Sequence, residues 1–214
     1  ETLLIATMSH RHHPHLVYDR VHGQIELPEF ASAILATPEF QRLDGIRQLG
    51  GCAFVYPSAT HTRREHSIGV CYLSGCLGRQ LRAQRPDLVH PDDILCMQIA
   101  GLVHDLGHGP FSHLFEDYVH GHADGGPGWS HEDMGIRLFE HILATHSHID
   151  PSAFFSEAHT VAENMATIAQ MVRGLGRDDP WPGDATGRVP AQRVLFDVVH
   201  NCSSGIDVDK LDYL

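Results

Sequence analysis

The side chains able to do chemistry in this chain are histidines and carboxylates in three separate segments: His66, the adjacent pair His104-Asp105, and a run carrying Asp207, Asp209 and Asp212. Neutral imidazole nitrogens and carboxylate oxygens suit a divalent first-row metal or magnesium. Two of each leave coordination positions for water. A His-Asp dipeptide says little in a chain with 19 histidines, and buried histidines satisfied by carboxylates are the competing reading. The setting adds weight, because His66 opens a stretch of small residues with helical spacing and His104-Asp105 closes an apolar one. Spacing leaves open which of the three aspartates would complete the set.

A second group lies between these segments. His113 and Glu116 stand three apart in a helical stretch, so they share a face, and the carboxylate can orient the imidazole and favour its protonated form, as a general acid requires. His108 and the pair His131-Glu132 add to this cluster, although His131-Glu132 also reads as the first turn of a helix capped by Ser130. Arg63 and Lys210 lie close in sequence to the ligand candidates, within reach of a metal-bound phosphate. Each charge-assisted hydrogen bond there is worth about 1.5–3 kcal/mol; solvated surface charge is the alternative.

The elements that must position these groups are helical. Residues 18–27 mix β-branched residues with glycine and predict a short extended or hairpin segment, after which helices take over. Leu27-Pro28-Glu29 opens one, and Thr37-Pro38 ends it and opens another through Gln41 and Leu43, closed by Gly50-Gly51. Residues 65–83 carry Ile68, Cys71, Tyr72, Gly75 and Cys76 on one stripe and predict a central helix. Pro91-Asp92-Asp93 starts the apolar run 94–103, which Gly107 terminates. Further helices are expected over 111–119, 130–145, 159–173 and 191–199, with a flexible loop at 121–128 and a Gly/Pro/Asp-rich surface loop at 174–190. No repeat or strand ladder appears, so the fold class is mainly α.

At 214 residues, 42% of them hydrophobic, the chain is expected to form one domain, 18–214, incomplete at its C-terminal side, behind a loosely ordered tail over 1–17 that holds His10, His12, His13 and His15. No stretch approaches the roughly 18 apolar residues of a membrane helix, so a soluble protein with no membrane partner is expected. The five cysteines form no C-x-x-C pair and sit mostly in apolar stretches. Buried thiols in a reducing intracellular compartment, cytoplasm or nucleus, are therefore expected. A formal charge of -12 excludes electrostatic wrapping of nucleic acid and leaves room for weak single-stranded binding at most.

Taken together, Arg63-Arg-Glu-His66, His104-Asp105, Gly107-His-Gly-Pro-Phe-Ser-His113, Ser130-His-Glu132 and Ile206-Asp-Val-Asp-Lys210 resemble the HD-domain deoxynucleoside triphosphate (dNTP) triphosphohydrolases, particularly the SAM-and-HD-domain enzymes of animals. The likeness runs from about Tyr18 to Leu214 and includes Thr37-Pro-Glu-Phe-Gln-Arg-Leu43 and Gln48-Leu-Gly-Gly51. It implies an HD-domain helical fold and hydrolysis of dNTPs to a deoxynucleoside and inorganic tripolyphosphate. It implies His66, His104, Asp105 and Asp209 as ligands of a divalent metal (Fe, Mn, Zn or Mg). His108, His113, Glu116, His131 and Glu132 would be catalytic or phosphate-contacting, while Gln48, Leu49 and Tyr213 would line the sugar pocket beside Arg63 and Lys210. It also implies a homo-oligomer in the full-length protein. At the positions where the animal enzymes grip a guanine-nucleotide activator, His15, Tyr18, Ala36 and Asp44 depart from the family's residues and Gln41 is retained, so a degraded GTP site is expected. Another HD-domain phosphohydrolase, acting on monophosphates, cyclic nucleotides or oligonucleotides, and an inactive nucleotide-binding module are the alternatives.

Overall fold

Strand β1 (His15–Asp19) folds back on β2 (Gly23–Leu27) with Asp19 opposite Gly23. The three-residue turn closes because Asp19 Oδ1 accepts the N–H groups of Val21 and His22 and because Gly23 takes a positive φ of 75°. These features come from a computed structural model of the chain, which describes residues 15–122 and 128–213. His15 is paired with Leu27, so order begins before the expected boundary at residue 17, while His10, His12 and His13 lie outside the described residues.

The rest of the described chain is helical. Helix α1 (Glu29–Leu35) leads into α2 (Pro38–Gln41), capped by Thr37, and into two 3-10 turns, Arg42–Gly45 and Gly50–Phe54. Helix α3 (Arg63–Gln84) is fixed by a capping box in which Thr62 and Glu65 satisfy each other's backbone N–H groups. It crosses α4 (Pro91–Val103) closely, since a Cβ on Gly101 would stand 3.1 Å from the Val70 carbonyl oxygen. Apolar on nearly all sides, α4 is the spine of the core, with Met97, Ile99 and Leu102 completely buried among Phe30, Ile34, Ile142 and Phe196.

Helices α5 (His113–His122), α6 (His131–Thr145), α7 (Val161–Arg173), α8 (Gly183–Thr186) and α9 (Val208–Tyr213) complete the set. None is long and apolar enough to cross a membrane among the described residues.

Four expectations need correction. The helix expected from 111 begins at His113, because Phe111 and Ser112 take φ of 64° and 55°, a left-handed turn that no α-helix accommodates. It then runs through 122 into the expected loop, of which 123–127 lie outside the described residues. Segment 174–190 is not simply a surface loop, since it contains α8 and the buried Arg188, and the helix expected over 191–199 is a 3-10 helix, Pro190–Asp197. Only Cys71 and Cys96 are buried; Cys76 is half-buried and Cys52 and Cys202 are exposed.

Candidate metal centre and active site

Three helix ends bring the first group together. His66 lies in the first turn of α3, His104 is the C-cap of α4 with Asp105 beside it, and Asp209 lies in the first turn of α9. His66 Nε2 is 2.8 Å from Asp209 Oδ1 and 3.6 Å from Asp105 Oδ2, while His104 Nε2 is 3.5 Å from Asp105 Oδ2 and 3.6 Å from Asp209 Oδ1. Donors held about 2.1 Å from one cation stand about 3.0 Å apart at a right angle and about 3.4 Å apart in a tetrahedron. His66, His104 and Asp105 are close enough to share one divalent ion, and Asp209 faces both Nε2 atoms beside them.

The other nitrogen of each imidazole is already held. His66 Nδ1 bonds Asp212 Oδ2 at 2.7 Å, and His104 Nδ1 bonds the Gly101 carbonyl at 2.8 Å. That leaves both Nε2 atoms facing the carboxylates, and the buried His104 Nε2 has no hydrogen-bond partner among the described residues. An orphaned buried imidazole nitrogen aimed at two carboxylates is the donor chemistry a metal requires.

The run of aspartates resolves into three roles. Asp207 accepts the N–H groups of Asn201 and Lys210 and so caps α9, Asp209 faces the two Nε2 atoms, and Asp212, one turn on, reaches the far side of His66. Gly69 makes room for it, because a Cβ there would collide with the Asp212 carboxylate. Sequence reasoning missed the role of Asp212; its i, i+3 spacing from Asp209, opposite the i, i+3 spacing of His66 and Gly69, was the signal available.

Charge in this group is tightly coupled. Burial raises the Asp105 carboxyl, but His104 and the Arg63 guanidinium, whose Nη1 donates to Oδ2 at 2.5 Å, hold it well below the usual carboxylate range. Asp209 is depressed likewise, its partial burial outweighed by the facing imidazoles of His104 and His66. Burial disfavours a charged His66, yet the hydrogen bonds with Asp209 and Asp212 hold it at about 9. Because this lies above the ordinary 6.5, the stabilisation is complete below that value and is lost as pH rises through about 9. In urea titrations with EDTA present, wild-type stability should therefore fall between pH 7 and 10 relative to His66→Gln. Parallel pH profiles for the two proteins would refute the coupling.

The second group stands beside the first. His108, His113 and His131 form a ring cluster, with His108 stacked on His131 at 4.1 Å and 17° and His113 edge-on to both. One ring nitrogen from each of the three lies within 4.8 Å of the others, close enough to meet a common ion or a phosphate oxygen. Burial pushes His108 down to about 4 despite Asp105 Oδ1 at 3.2 Å from its Nε2, so it is neutral near pH 7. The expected pairing of Glu116 with His113 is corrected, because the Glu116 carboxylate is 2.9 Å from His131 Nδ1 and 3.8 Å from His113 Nδ1. Burial raises the Glu116 carboxyl, but the hydrogen bond with His131 brings it below its ordinary value. Glu132 Oε1 lies 3.4 Å from His131 Nε2, and the His113 side chain remains 70% exposed.

Close backbone packing makes this juxtaposition possible. A Cβ on Gly107 would strike the His131 carbonyl oxygen, so glycine there lets α6 lie against the turn that follows α4. Arg42, from the Thr37–Leu43 motif, ties the same turn down by donating to the carbonyls of Leu106 and His108.

Both groups open onto a cavity of about 390 Å³, lined by Gln48, Leu49, Arg63, His104, Asp105, His113, His131, Glu132, Asp209 and Tyr213. His66 lies behind this wall, His108 is buried, Glu116 acts through His131, and Lys210 is not among the lining residues. Arg63 is only partly available to a ligand, since its Nη1 is bound to Asp105 and its Nε to Ser112. Val172, Val199 and His200 also line the cavity and had no sequence motif to flag them.

Fold and site place the chain among known proteins. The HD-domain family model matches residues 63–214, and the chain belongs to that family. It is similar to deoxynucleoside triphosphate triphosphohydrolase SAMHD1 of Gallus gallus, with 42% identity over 200 residues covering 91% of this chain and 32% of that protein. The Homo sapiens protein of the same name is 41% identical over 203 residues, covering 92% and 32%, and the Dictyostelium discoideum homologue is 34% identical over 201 residues, covering 93% and 35%. The chain thus spans about a third of the length of these curated relatives.

Proposed function

We propose that this chain carries the active site of a metal-dependent hydrolase that converts dNTPs to deoxynucleoside and inorganic tripolyphosphate. The observation that carries the reading is the meeting of His66, His104 and Asp105, with Asp209 facing both imidazoles, beside a cavity whose wall also holds His113 and His131. The names of the relatives supply the substrate class. At about 390 Å³ the cavity is within the range of small-molecule sites.

A divalent cation, Fe, Mn, Zn or Mg, would supply positive charge against the phosphate oxygens and lower the pKa of water toward about 7. The protein's own groups do the rest. Arg63 holds Asp105, and Asp212 and the Gly101 carbonyl aim the two imidazoles. As a water oxygen bonds the α-phosphorus and the bond to the sugar oxygen breaks, His113, exposed at the cavity wall, hands a proton to that departing oxygen, and His131, oriented by Glu116, lies beside it to meet the phosphate. Gln48 Oε1, buried without a partner among the described residues, is an acceptor for a sugar hydroxyl, and Leu49 and Tyr213 close around the ring.

Anion-exchange analysis of dGTP and the other dNTPs incubated with Mn2+, Mg2+ or Fe2+, with His104→Ala as control, tests this. Tripolyphosphate plus deoxynucleoside, absent in the variant, is the expected result. Pyrophosphate or monophosphate would assign the site to a different phosphoester hydrolysis.

Tyr18 is 83% exposed, and His15, Ala36 and Asp44 are also exposed; Asp44 instead faces Arg64 at 3.7 Å. Asp44 is engaged with Arg64 and Ala36 offers no polar group to a guanine nucleotide, so GTP should leave turnover unchanged within twofold. A several-fold rise in dNTP hydrolysis on adding GTP would refute this. Ile206, Leu211 and Tyr213, each at least half exposed near the chain's end, offer apolar surface for the homo-oligomer.

A further inference from the structure

The metal ligand His66 is held from behind by a chain of contacts that begins in the N-terminal hairpin, far away in sequence. His22, at the end of the β1–β2 turn, bonds Asp212 Oδ1 through its Nε2 at 2.8 Å, and Asp212 Oδ2 bonds His66 Nδ1 at 2.7 Å. The three side chains are 14%, 10% and 1% exposed in that order, so water does not compete freely for these bonds. Each is also fixed from outside the chain of contacts. The His22 ring packs on Tyr72 at 5.3 Å, its backbone N–H is held by Asp19 Oδ1, and Asp212 occupies the notch left by Gly69. Arg20 grips Glu65 through three short contacts, which ties the turn to the first turn of α3, one residue before His66.

On the reading that His66 ligates a metal, we propose that His22 is a positioning residue of the metal centre. It holds the Asp212 carboxylate in the one orientation that fixes the ring of His66 and directs its Nε2 at the ion. The reason is geometric. A carboxylate with one oxygen on His66 and the other free can swing about its Cβ–Cγ bond and take the imidazole with it; a second donor on the other oxygen stops the rotation. The hairpin is then a working part of the site, since removing one imidazole in it loosens a ligand carried by a different element. Outer-shell partners of this kind are worth roughly 10–100-fold in metal affinity.

The test uses the full chain stripped of metal with EDTA and titrated with Mn2+, free Mn2+ being read by electron paramagnetic resonance. His22→Ala should weaken Mn2+ binding roughly 10–100-fold. His22→Gln, whose amide nitrogen reaches the place of the imidazole Nε2, should recover most of the loss. Melting in EDTA separates positioning from folding, because both variants should then melt within a few degrees of wild type. Wild-type affinity in His22→Ala, with wild type binding normally, would overturn the inference alone. So would equal loss in both variants together with a collapsed melting temperature in EDTA, the pattern of a merely structural role. If wild type itself bound no Mn2+, the metal reading would fail and this inference with it.

Discussion

Replacing Asp105 with alanine will remove turnover and destabilise the fold together, and Asp105→Asn will remove turnover with a smaller loss of stability. Both outcomes follow from where the carboxylate sits. One oxygen, Oδ2, lies between His66 Nε2, His104 Nε2 and Arg63 Nη1, so it completes the donor set and also neutralises a guanidinium whose side chain is 4% exposed. Alanine deletes the ligand and strands the buried cation, which costs about 3–5 kcal/mol. Asparagine keeps an oxygen that accepts from Arg63 but loses the charge that a divalent ion requires, and it leaves the guanidinium charge uncompensated, so it recovers only part of the stability. Lewis-acid assistance is worth several kcal/mol of barrier, so turnover in either variant should fall on the order of 10³-fold or more. Steady-state rates at saturating Mn2+ and thermal melts of the three proteins decide the matter. Turnover of Asp105→Asn within tenfold of wild type would remove Asp105 from the metal centre.

The second large effect lies far from the cavity. Arg188→Met should cost about 3–5 kcal/mol, because it leaves Asp93 buried and unpaired. Arg188 and Asp93 are both 0% exposed, and the guanidinium meets Asp93 Oδ1 through Nε at 3.0 Å and through Nη2 at 2.8 Å. Nη2 also reaches Asn164 Oδ1, and Nη1 reaches the Thr186 carbonyl. Asp93 in turn caps α4 through the His90 N–H, so the pair ties the 174–190 segment and α7 to the helix that ends in His104. For a domain of this size the loss corresponds to a melting temperature lower by about 6–20 °C. Conversion of both partners to apolar residues should recover part of it, since the cost arises mainly from the charge left alone. A single variant that melts with wild type would show that water or a rearranged neighbour satisfies Asp93.

These two sites differ in how far the sequence exposed them. The dipeptide His104-Asp105 at the end of an apolar run, and His66 at the head of a small-residue helix, were legible because helical spacing and helix stops leave local marks: the stripe through Ile68, Cys71 and Gly75 in one, Gly107 after the other. The hairpin was legible from β-branched residues around a glycine. Arg188 was not, because it lies in a stretch whose composition says loop, and no local pattern distinguishes a solvated arginine from one whose charge is cancelled by Asp93, 95 residues away. The left-handed turn at Phe111-Ser112 was equally hidden, since neither residue is a glycine and the conformation is imposed by Ser112 Oγ bonding Arg63 Nε and the Arg47 carbonyl.

The site shows the same division. Residue types and their spacing determine which candidate donors exist and that helices carry them. They also leave three aspartates near the end of the chain without distinct roles. Only the packed structure separates a helix cap in Asp207 from a carboxylate facing two imidazoles in Asp209 and a brace on His66 in Asp212, and only there does Glu116 turn to His131 rather than to His113 on its own helix. Local pattern fixes a side chain's position on its own element, because helical periodicity is a property of adjacent residues. Which group it meets depends on how closely two elements can approach. Here glycines with no Cβ set that distance: Gly69 beside Asp212, Gly107 under His131 and Gly101 against α3.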